Sequence, residues 1–120
     1  MGNINKVCIS GNVVADCTKK KAGETPLIEF CVAVNEFRKN KDGERDDYAN
    51  FIDCTLFGKR AQGLAQFVTK GTKFVIEGHL HQSRWETEDG QKRSRMRVVV
   101  DEADFTAPAQ RDNAQDEIPW

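Results

Sequence analysis

The chain contains 120 residues, of which 38% are hydrophobic and 31% charged, and its formal net charge is −1. This length favours one domain that buries its own core, and no stretch approaches the roughly 20 apolar residues of a membrane-spanning helix. Residues 1–6 lack the apolar core of a signal peptide, so we expect a cytoplasmic protein.

The first half of the chain has the period-two alternation of β-strands. Residues 5–14 predict a first strand, in which Gly11 marks a bend or bulge, and residues 27–35 predict a second strand with strict alternation. Residues 38–47 contain no apolar side chain and predict an exposed, mobile hairpin loop. Residues 48–57 then predict a third strand.

One segment instead has the period of a helix, with apolar residues at Ala61, Leu64, Ala65 and Val68. Two further strands are predicted at residues 72–85 and 92–101, joined by a turn at 88–91, and Gly78 allows a sharp bend in the first of them. Three strands, a helix and two strands is the element order of an OB-fold, a five-stranded Greek-key barrel. The sequence therefore predicts an all-β protein with one helix between strands three and four.

Two phenylalanines of the third predicted strand are placed for binding. Phe51 and Phe57 lie opposite the face that carries Ile52, Cys54 and Leu56, which supply the core. The two rings should therefore point out of the barrel, where clustered aromatic side chains indicate an interaction surface. The alternative is that either ring packs beneath a loop or at a subunit interface.

Basic residues accompany these rings. Two more aromatic side chains, Phe37 and Trp85, lie next to basic segments, and the alternating Arg93, Arg95 and Arg97 share one face of the last strand. Bases stack on aromatic rings and phosphates pair with cations, so this combination suits a single strand of nucleic acid. A merely solvated strand is the alternative for the three arginines, and the run Lys19-Lys20-Lys21 predicts a solvated turn.

Asp53 opposes this interpretation because it places a negative charge between Phe51 and Phe57. We expect it either to pair with a neighbouring Lys or Arg or to lie away from the nucleic-acid path.

Other chemistries find little support in the sequence. The four cysteines form no Cys-x-x-Cys pair, and we expect them to be reduced and structural. His79 and His81 share a strand face, but no third metal ligand stands near them in sequence. Phosphate-binding loops, nucleophile elbows and paired catalytic carboxylates are also missing from the sequence. We therefore expect neither a cofactor nor an enzyme.

The end of the chain has a different composition. Residues 1–105 carry 17 Lys and Arg against 16 Asp and Glu, whereas residues 106–120 carry one against three and predict a disordered tail. The tail ends in an acidic and apolar tip, formed by Asp116, Glu117, Ile118, Pro119 and Trp120. A partner protein can bind such a tip in an apolar pocket that is surrounded by basic residues. The alternative is a tail that only improves solubility.

The chain resembles the bacterial, or phage-encoded, single-stranded DNA-binding proteins over about residues 4–105 and again at the tail tip. The resemblance is carried by Asn5-Lys6-Val7, Gly11-Asn12, Leu56-Phe57-Gly58-Lys59, Lys70-Gly71, Ile76-Glu77-Gly78, Arg84-Trp85 and Val98-Val99-Val100. It implies that DNA bases stack on Phe37, Phe51, Phe57 and Trp85. It also implies basic contacts from Lys6, Lys59, Lys70 and Arg84.

The same resemblance implies a homotetramer in which the first strand helps to pair subunits. We therefore expect a domain at residues 1–105 that coats single-stranded DNA without sequence preference, and a tail at 106–120 that recruits replication, recombination and repair proteins. An RNA-binding OB-fold of the cold-shock type would not need the Ile-Pro-Trp terminus. A pure protein-interaction OB domain would not need the exposed rings.

Overall fold

The computed structural model describes residues 2–106, so the tail tip from Asp116 to Trp120 lies outside the described residues. Six strands, one short helix and one 3-10 turn follow each other along the chain: β1 (Val7–Val13), β2 (Thr18–Ala22), β3 (Thr25–Lys39), β4 (Arg45–Phe57), α1 (Lys59–Leu64), the 3-10 turn (Ala65–Phe67), β5 (Lys73–Glu86) and β6 (Lys92–Phe105). Within residues 2–106, no helix is long and apolar enough to cross a membrane.

The structure corrects the expected strand count from five to six. The additional strand, β2, contains the lysine run that was expected to be a turn, and it pairs antiparallel with β3. Every residue of β2 is exposed, so it carries no apolar alternation from which a strand could be predicted. The hairpin between β3 and β4 also differs from expectation, because both strands continue through charged sequence and only residues 40–44 remain as the loop.

Strand pairing links the sheet into a closed circuit. The hydrogen-bonded order is β1-β5-β6-β4-β3-β2, and β1 also pairs with β3 at Asn12 and Val13. The β4–β6 pairing is parallel and the others are antiparallel. This mostly β topology with a helix between β4 and β5 is consistent with the predicted OB-fold.

Two glycines permit the close backbone contacts of this circuit. At Gly11 a Cβ atom would overlap the carbonyl oxygen of Ala33, at the point where β1 reaches β3. At Gly78 a Cβ atom would overlap the carbonyl oxygen of Val99, next to a register shift between β5 and β6. The bends expected at both positions are thus close approaches that only glycine accommodates.

The core lies inside this circuit. It is built from alternate residues of the strands and from one side of the helical segment, and it includes Val13, Ile28, Phe30, Val32, Cys54, Leu56, Ala61, Ala65, Val68, Phe74, Ile76, Val98 and Val100. The apolar residues of the helical segment pack into this core, consistent with the helical spacing in the sequence. All four cysteines are free; Cys54 is buried, and burial raises the pKa of its thiol to about 12. Cys8, in contrast, is exposed.

Candidate nucleic-acid interface

Phe51 and Phe57 are exposed on β4, as the sequence pattern predicted, whereas Thr55 on the same face is buried and accepts a hydrogen bond from Arg97. The side chains of Cys54 and Leu56 are each 1% exposed, whereas Phe51 is 67% and Phe57 42% exposed. The rings lie six residues apart on one strand, a separation of roughly 20 Å at the usual rise per residue. Phe51 and Phe57 are therefore separate platforms on the outer face of the sheet.

The hairpin formed by β5 and β6 adds the third ring to this face. Trp85 is 48% exposed and stands opposite Arg93 in the β5–β6 register. Arg95 and Arg97, on the same side of β6 as Arg93, contact Asp53 and Thr55 on the outer face of β4. The Trp85 side of this hairpin and the Phe51 side of β4 thus belong to one surface, which we call the aromatic face.

Asp53 pairs with a cation, which was the first of the two expectations for this residue. Its Oδ2 lies 2.9 Å from Nη2 of Arg95, and this hydrogen bond raises the pKa of the Arg95 guanidinium above its ordinary value. The negative charge between Phe51 and Phe57 is therefore neutralised locally. The same pairing occupies one of the three arginines of the predicted basic stripe.

Arg97 is also occupied by protein groups. Its Nη1 donates to Oε2 of Glu29 and to Oγ1 of Thr55, both at 3.1 Å, and its Nη2 donates to Oγ of Ser83 at 3.1 Å. The Arg97 side chain is only 22% exposed. Arg97 therefore ties β6 to β3, β4 and β5, and Arg93 remains the arginine of the stripe with no ion pair among the described residues.

Glu29 joins this network to the lysine run of β2. Its Oε1 accepts from Nζ of Lys20 at 2.9 Å, while its other oxygen faces Arg97. The hydrogen bond from Lys20 and the nearby Arg97 hold the pKa of the Glu29 carboxyl below its ordinary value. One carboxylate is thus shared by two cations, which leaves a net positive charge at this point of the face.

Phe37 has a neighbour that the sequence pattern did not identify. The guanidinium carbon of Arg45 lies 3.7 Å from the centre of the Phe37 ring, and the ring is 61% exposed. A cation over an aromatic ring is held by the ring's negative face. The sequence could have indicated this contact, because a hairpin that turns at Asp42-Gly43 brings Arg45 back beside Phe37.

The remaining basic candidates do not all lie on the aromatic face. Arg84 alternates with Trp85 along β5, so it points from the opposite side of the hairpin, where it donates to Gln82 at 2.8 Å. Lys6 pairs with Glu77 at 3.1 Å, which raises the pKa of the Lys6 ammonium. Lys59, two residues after Phe57, and Lys70, in the loop before β5, are exposed.

Metal-binding geometry does not occur within residues 2–106, where no group of three or more His, Cys, Asp and Glu side chains is positioned to hold an ion. His79 instead pairs with Asp101, with Nδ1 and Oδ2 at 3.1 Å.

The family model and the similar proteins all point to the same family. Residues 4–106 match the model of the single-strand binding protein family. The single-stranded DNA-binding protein of Aquifex aeolicus is 37% identical over 100 residues, covering 82% of this chain and 67% of its own length. That of Treponema pallidum is also 37% identical over 100 residues, covering 82% of this chain and 55% of its own length. The chain thus spans between about half and two thirds of these relatives.

Solved structures agree on the fold. A Plasmodium falciparum SSB in complex with ssDNA superposes with a TM-score of 0.75 at 19% identity, covering 88% of this chain and 97% of that one. A deletion mutant of the single-stranded DNA binding protein from Thermus aquaticus also gives a TM-score of 0.75, at 21% identity and with 88% and 51% coverage.

Proposed function

The chain belongs to the single-strand binding protein family, and on that premise we propose that it binds single-stranded DNA without sequence preference through the aromatic face. The observation that carries the proposal is the exposure of four aromatic rings on strands β3, β4 and β5, between 42% and 67% for Phe37, Phe51, Phe57 and Trp85. Exposed rings are costly in water unless a ligand covers them, and every base has a face that can stack on them.

The cations around these rings support contacts with the phosphate backbone of DNA. Arg93 stands beside Trp85, Lys59 follows Phe57, and Lys70 is exposed in the loop before β5. Lys6, which is paired with Glu77, and Arg84, which points from the side of the hairpin opposite Trp85, complete the proposed phosphate contacts. Since these side chains contact phosphates and not base edges, they give affinity without reading sequence.

A titration with poly(dT), duplex DNA and RNA of equal length, followed by tryptophan fluorescence, tests the proposal. We expect strong preference for the single DNA strand. If each subunit neutralises about four phosphates, the log–log salt dependence should have a slope of roughly −3 per subunit, at ~0.7 per phosphate. Equal affinity for duplex and single strand would contradict the proposal, and preference for RNA would favour a cold-shock-type function.

We further propose that residues 1–105 form the DNA-binding domain and that the tail at 106–120 recruits proteins of replication, recombination and repair. Support comes from the composition of the tip, where acids precede Ile118 and Trp120. Truncating a buried aromatic anchor commonly costs ~2 kcal/mol or more. Trp120→Ala should therefore reduce capture of such enzymes from a cell extract by about 30-fold while poly(dT) affinity is unchanged. Equal capture by both proteins would contradict this role.

We also propose a homotetramer. Strand β1 pairs with β5 from Val7 to Asn12 but meets β3 only at Asn12 and Val13, so its other edge has no partner strand in the described chain over residues 7–11. An open edge of this kind invites pairing with a second copy across a two-fold axis. Light scattering should give four times the chain mass, and a monomer at micromolar concentration would refute the proposal.

A further inference from the structure

The two histidines of the chain, His79 and His81, have no role in the proposed DNA interface as described so far. Both belong to β5 and are two residues apart, so their side chains leave the same side of the strand. Their surroundings differ. Nδ1 of His79 lies 3.1 Å from Oδ2 of Asp101, whereas His81 is exposed and forms no ion pair within residues 2–106. The imidazole of His81 is therefore open to a ligand.

His81 belongs to the aromatic face. It shares its side of β5 with Ser83 and Trp85, because these three residues alternate along the strand. Oγ of Ser83 accepts a hydrogen bond from Nη2 of Arg97 at 3.1 Å, and the same guanidinium reaches Thr55 on β4. The side of β5 that carries His81 thus continues into the surface that carries the exposed rings.

His81 also lies between two of the proposed DNA contacts. Lys6 pairs with Glu77 at 3.1 Å, and Glu77 lies four residues before His81 on the same side of β5. Trp85 lies four residues after His81 on that side, roughly 13 Å away at the usual rise per residue. A nucleic-acid strand that contacts both Lys6 and Trp85 would therefore pass over His81.

The charged groups around His81 leave its own charge without a partner in the protein. The titratable and charged side chains on this side of β5 and of its two neighbouring strands are Lys6, Glu77, His79, Arg93, Arg95, Arg97, Asp101 and Glu102. The residue opposite His81 in the β5–β6 register is Arg97, a cation. The carboxylates are already paired, Glu77 with Lys6, Asp101 with His79, Glu102 with Arg60, and, beyond β6, Glu29 with Arg97 and Asp53 with Arg95.

We propose that His81 is a further phosphate contact of the aromatic face and that it acts in its protonated form. The inference rests on the proposed function, because the phosphate is that of the bound single strand. Histidine is the side chain that ordinarily gains its charge between about pH 5 and 8. A proton that strengthens phosphate binding is in turn held more tightly when the phosphate is bound. Affinity for single strands should therefore rise as the pH falls through this range, and the gain should be lost as the pH rises.

His79 should not contribute in the same way. Its imidazole faces the Asp101 carboxylate, so a proton on His79 strengthens a contact within the protein. That contact is present both before and after DNA binds, and its free energy therefore cancels from the binding equilibrium. The two histidines thus form a matched pair, with one held internally and one open to DNA.

Titrations of a short labelled oligo(dT) at about pH 8 and about pH 5.5 test the proposal, since thymine takes up no proton in this range. The unmodified protein should bind up to about five-fold more tightly at the lower pH, the effect of one exposed ion pair. Its log–log salt slope should steepen by ~0.7 per subunit. His81→Gln should remove both differences and bind like the unmodified protein at the higher pH. His79→Gln is the control and should retain both differences.

Two further variants separate the charge of His81 from its ring. His81→Arg is charged at both pH values and should bind at the higher pH as tightly as the unmodified protein does at the lower one. His81→Phe keeps a ring that can stack on a base and should lack the pH dependence.

The remaining outcomes would overturn the proposal. A pH dependence that persists in His81→Gln, or equal binding by the unmodified protein at both pH values, would remove the contact at His81 while salt-dependent binding of single strands still supports the proposed function. A loss in His81→Gln at both pH values that His81→Phe restores would assign a stacking role to the neutral ring, which also contradicts the proposal. Equal affinity for duplex and single strand would overturn both this contact and the proposed function.

Discussion

Neighbouring residues of β4 have opposite surroundings. Leu56 is 1% exposed and lies in the core, whereas Phe57, the next residue, is 42% exposed on the aromatic face. The core side contributes the buried apolar side chains of Cys54 and Leu56, while the aromatic face combines rings with arginines that are held by Asp53 and Glu29. One strand thus serves folding with one face and, as proposed, binding with the other, so stability and DNA affinity should respond to different substitutions.

The largest effect should come from the core side. Leu56→Ala removes a fully buried side chain and should lower the free energy of unfolding by ~2–5 kcal/mol, the usual cost of such a cavity. Phe57→Ala, one residue along, should leave the denaturation midpoint nearly unchanged. Urea denaturation of both variants measures the difference. If Phe57→Ala destabilises the protein as much as Leu56→Ala, the distinction between the two faces is wrong.

The aromatic face should show the converse result. Trp85→Ala and Phe51→Ala should each weaken poly(dT) binding by about 1–3 kcal/mol, the usual contribution of one stacked base, without a change in thermal stability. Tyr48→Ala is the control, because Tyr48 is 47% exposed but lies on the other side of β4. The measurement is fluorescence-anisotropy titration with labelled oligo(dT). A loss for Tyr48→Ala equal to that for Phe51→Ala would remove the aromatic face from the DNA site.

A smaller effect should follow from releasing Arg95. Asp53→Asn removes the carboxylate that holds this guanidinium at 2.9 Å, so Arg95 can contact a phosphate. Affinity for oligo(dT) should rise by up to about five-fold at low salt, since exposed ion pairs contribute about 0–1 kcal/mol, and the salt slope should steepen by ~0.7. Glu102→Gln, which removes a carboxylate paired with Arg60, is the control. Weaker binding by Asp53→Asn would mean that Asp53 positions Arg95 for DNA.

The smallest effect concerns pH. Because Lys20 and Arg97 lower the pKa of Glu29 in the folded protein, its carboxylate contributes stability that is fully present above its ordinary pKa of 4.5 and is lost as the pH falls through the lower folded value. In Glu29→Gln, thermal stability should therefore fall less steeply as the pH is lowered below about 5. Thermal unfolding at successive pH values measures this, and an unchanged acid limb would show that Glu29 is not a source of it.

Most of the fold could be predicted from periodicity, because alternation reports which side of a strand is buried. The core residues of β3 and β4, the helical segment and the exposure of Phe51 and Phe57 all followed from it. The strand β2 could not be predicted, since its lysines are exposed on both sides and only pairing with β3 makes it a strand. Local sequence also predicted a long loop where β3 and β4 continue as a two-stranded arm.

By itself, the sequence determined which side of β3 and of β4 supplies core residues and which residue types are available to meet a nucleic acid, because alternation and composition are local properties. Only the tertiary structure decided which of the cations are free. Arg95 meets Asp53 across 42 residues and Arg97 meets Glu29 across 68, and both contacts depend on the registers of β6 with β4 and of β4 with β3. Long-range register is set by how the whole core packs, so no local pattern records it.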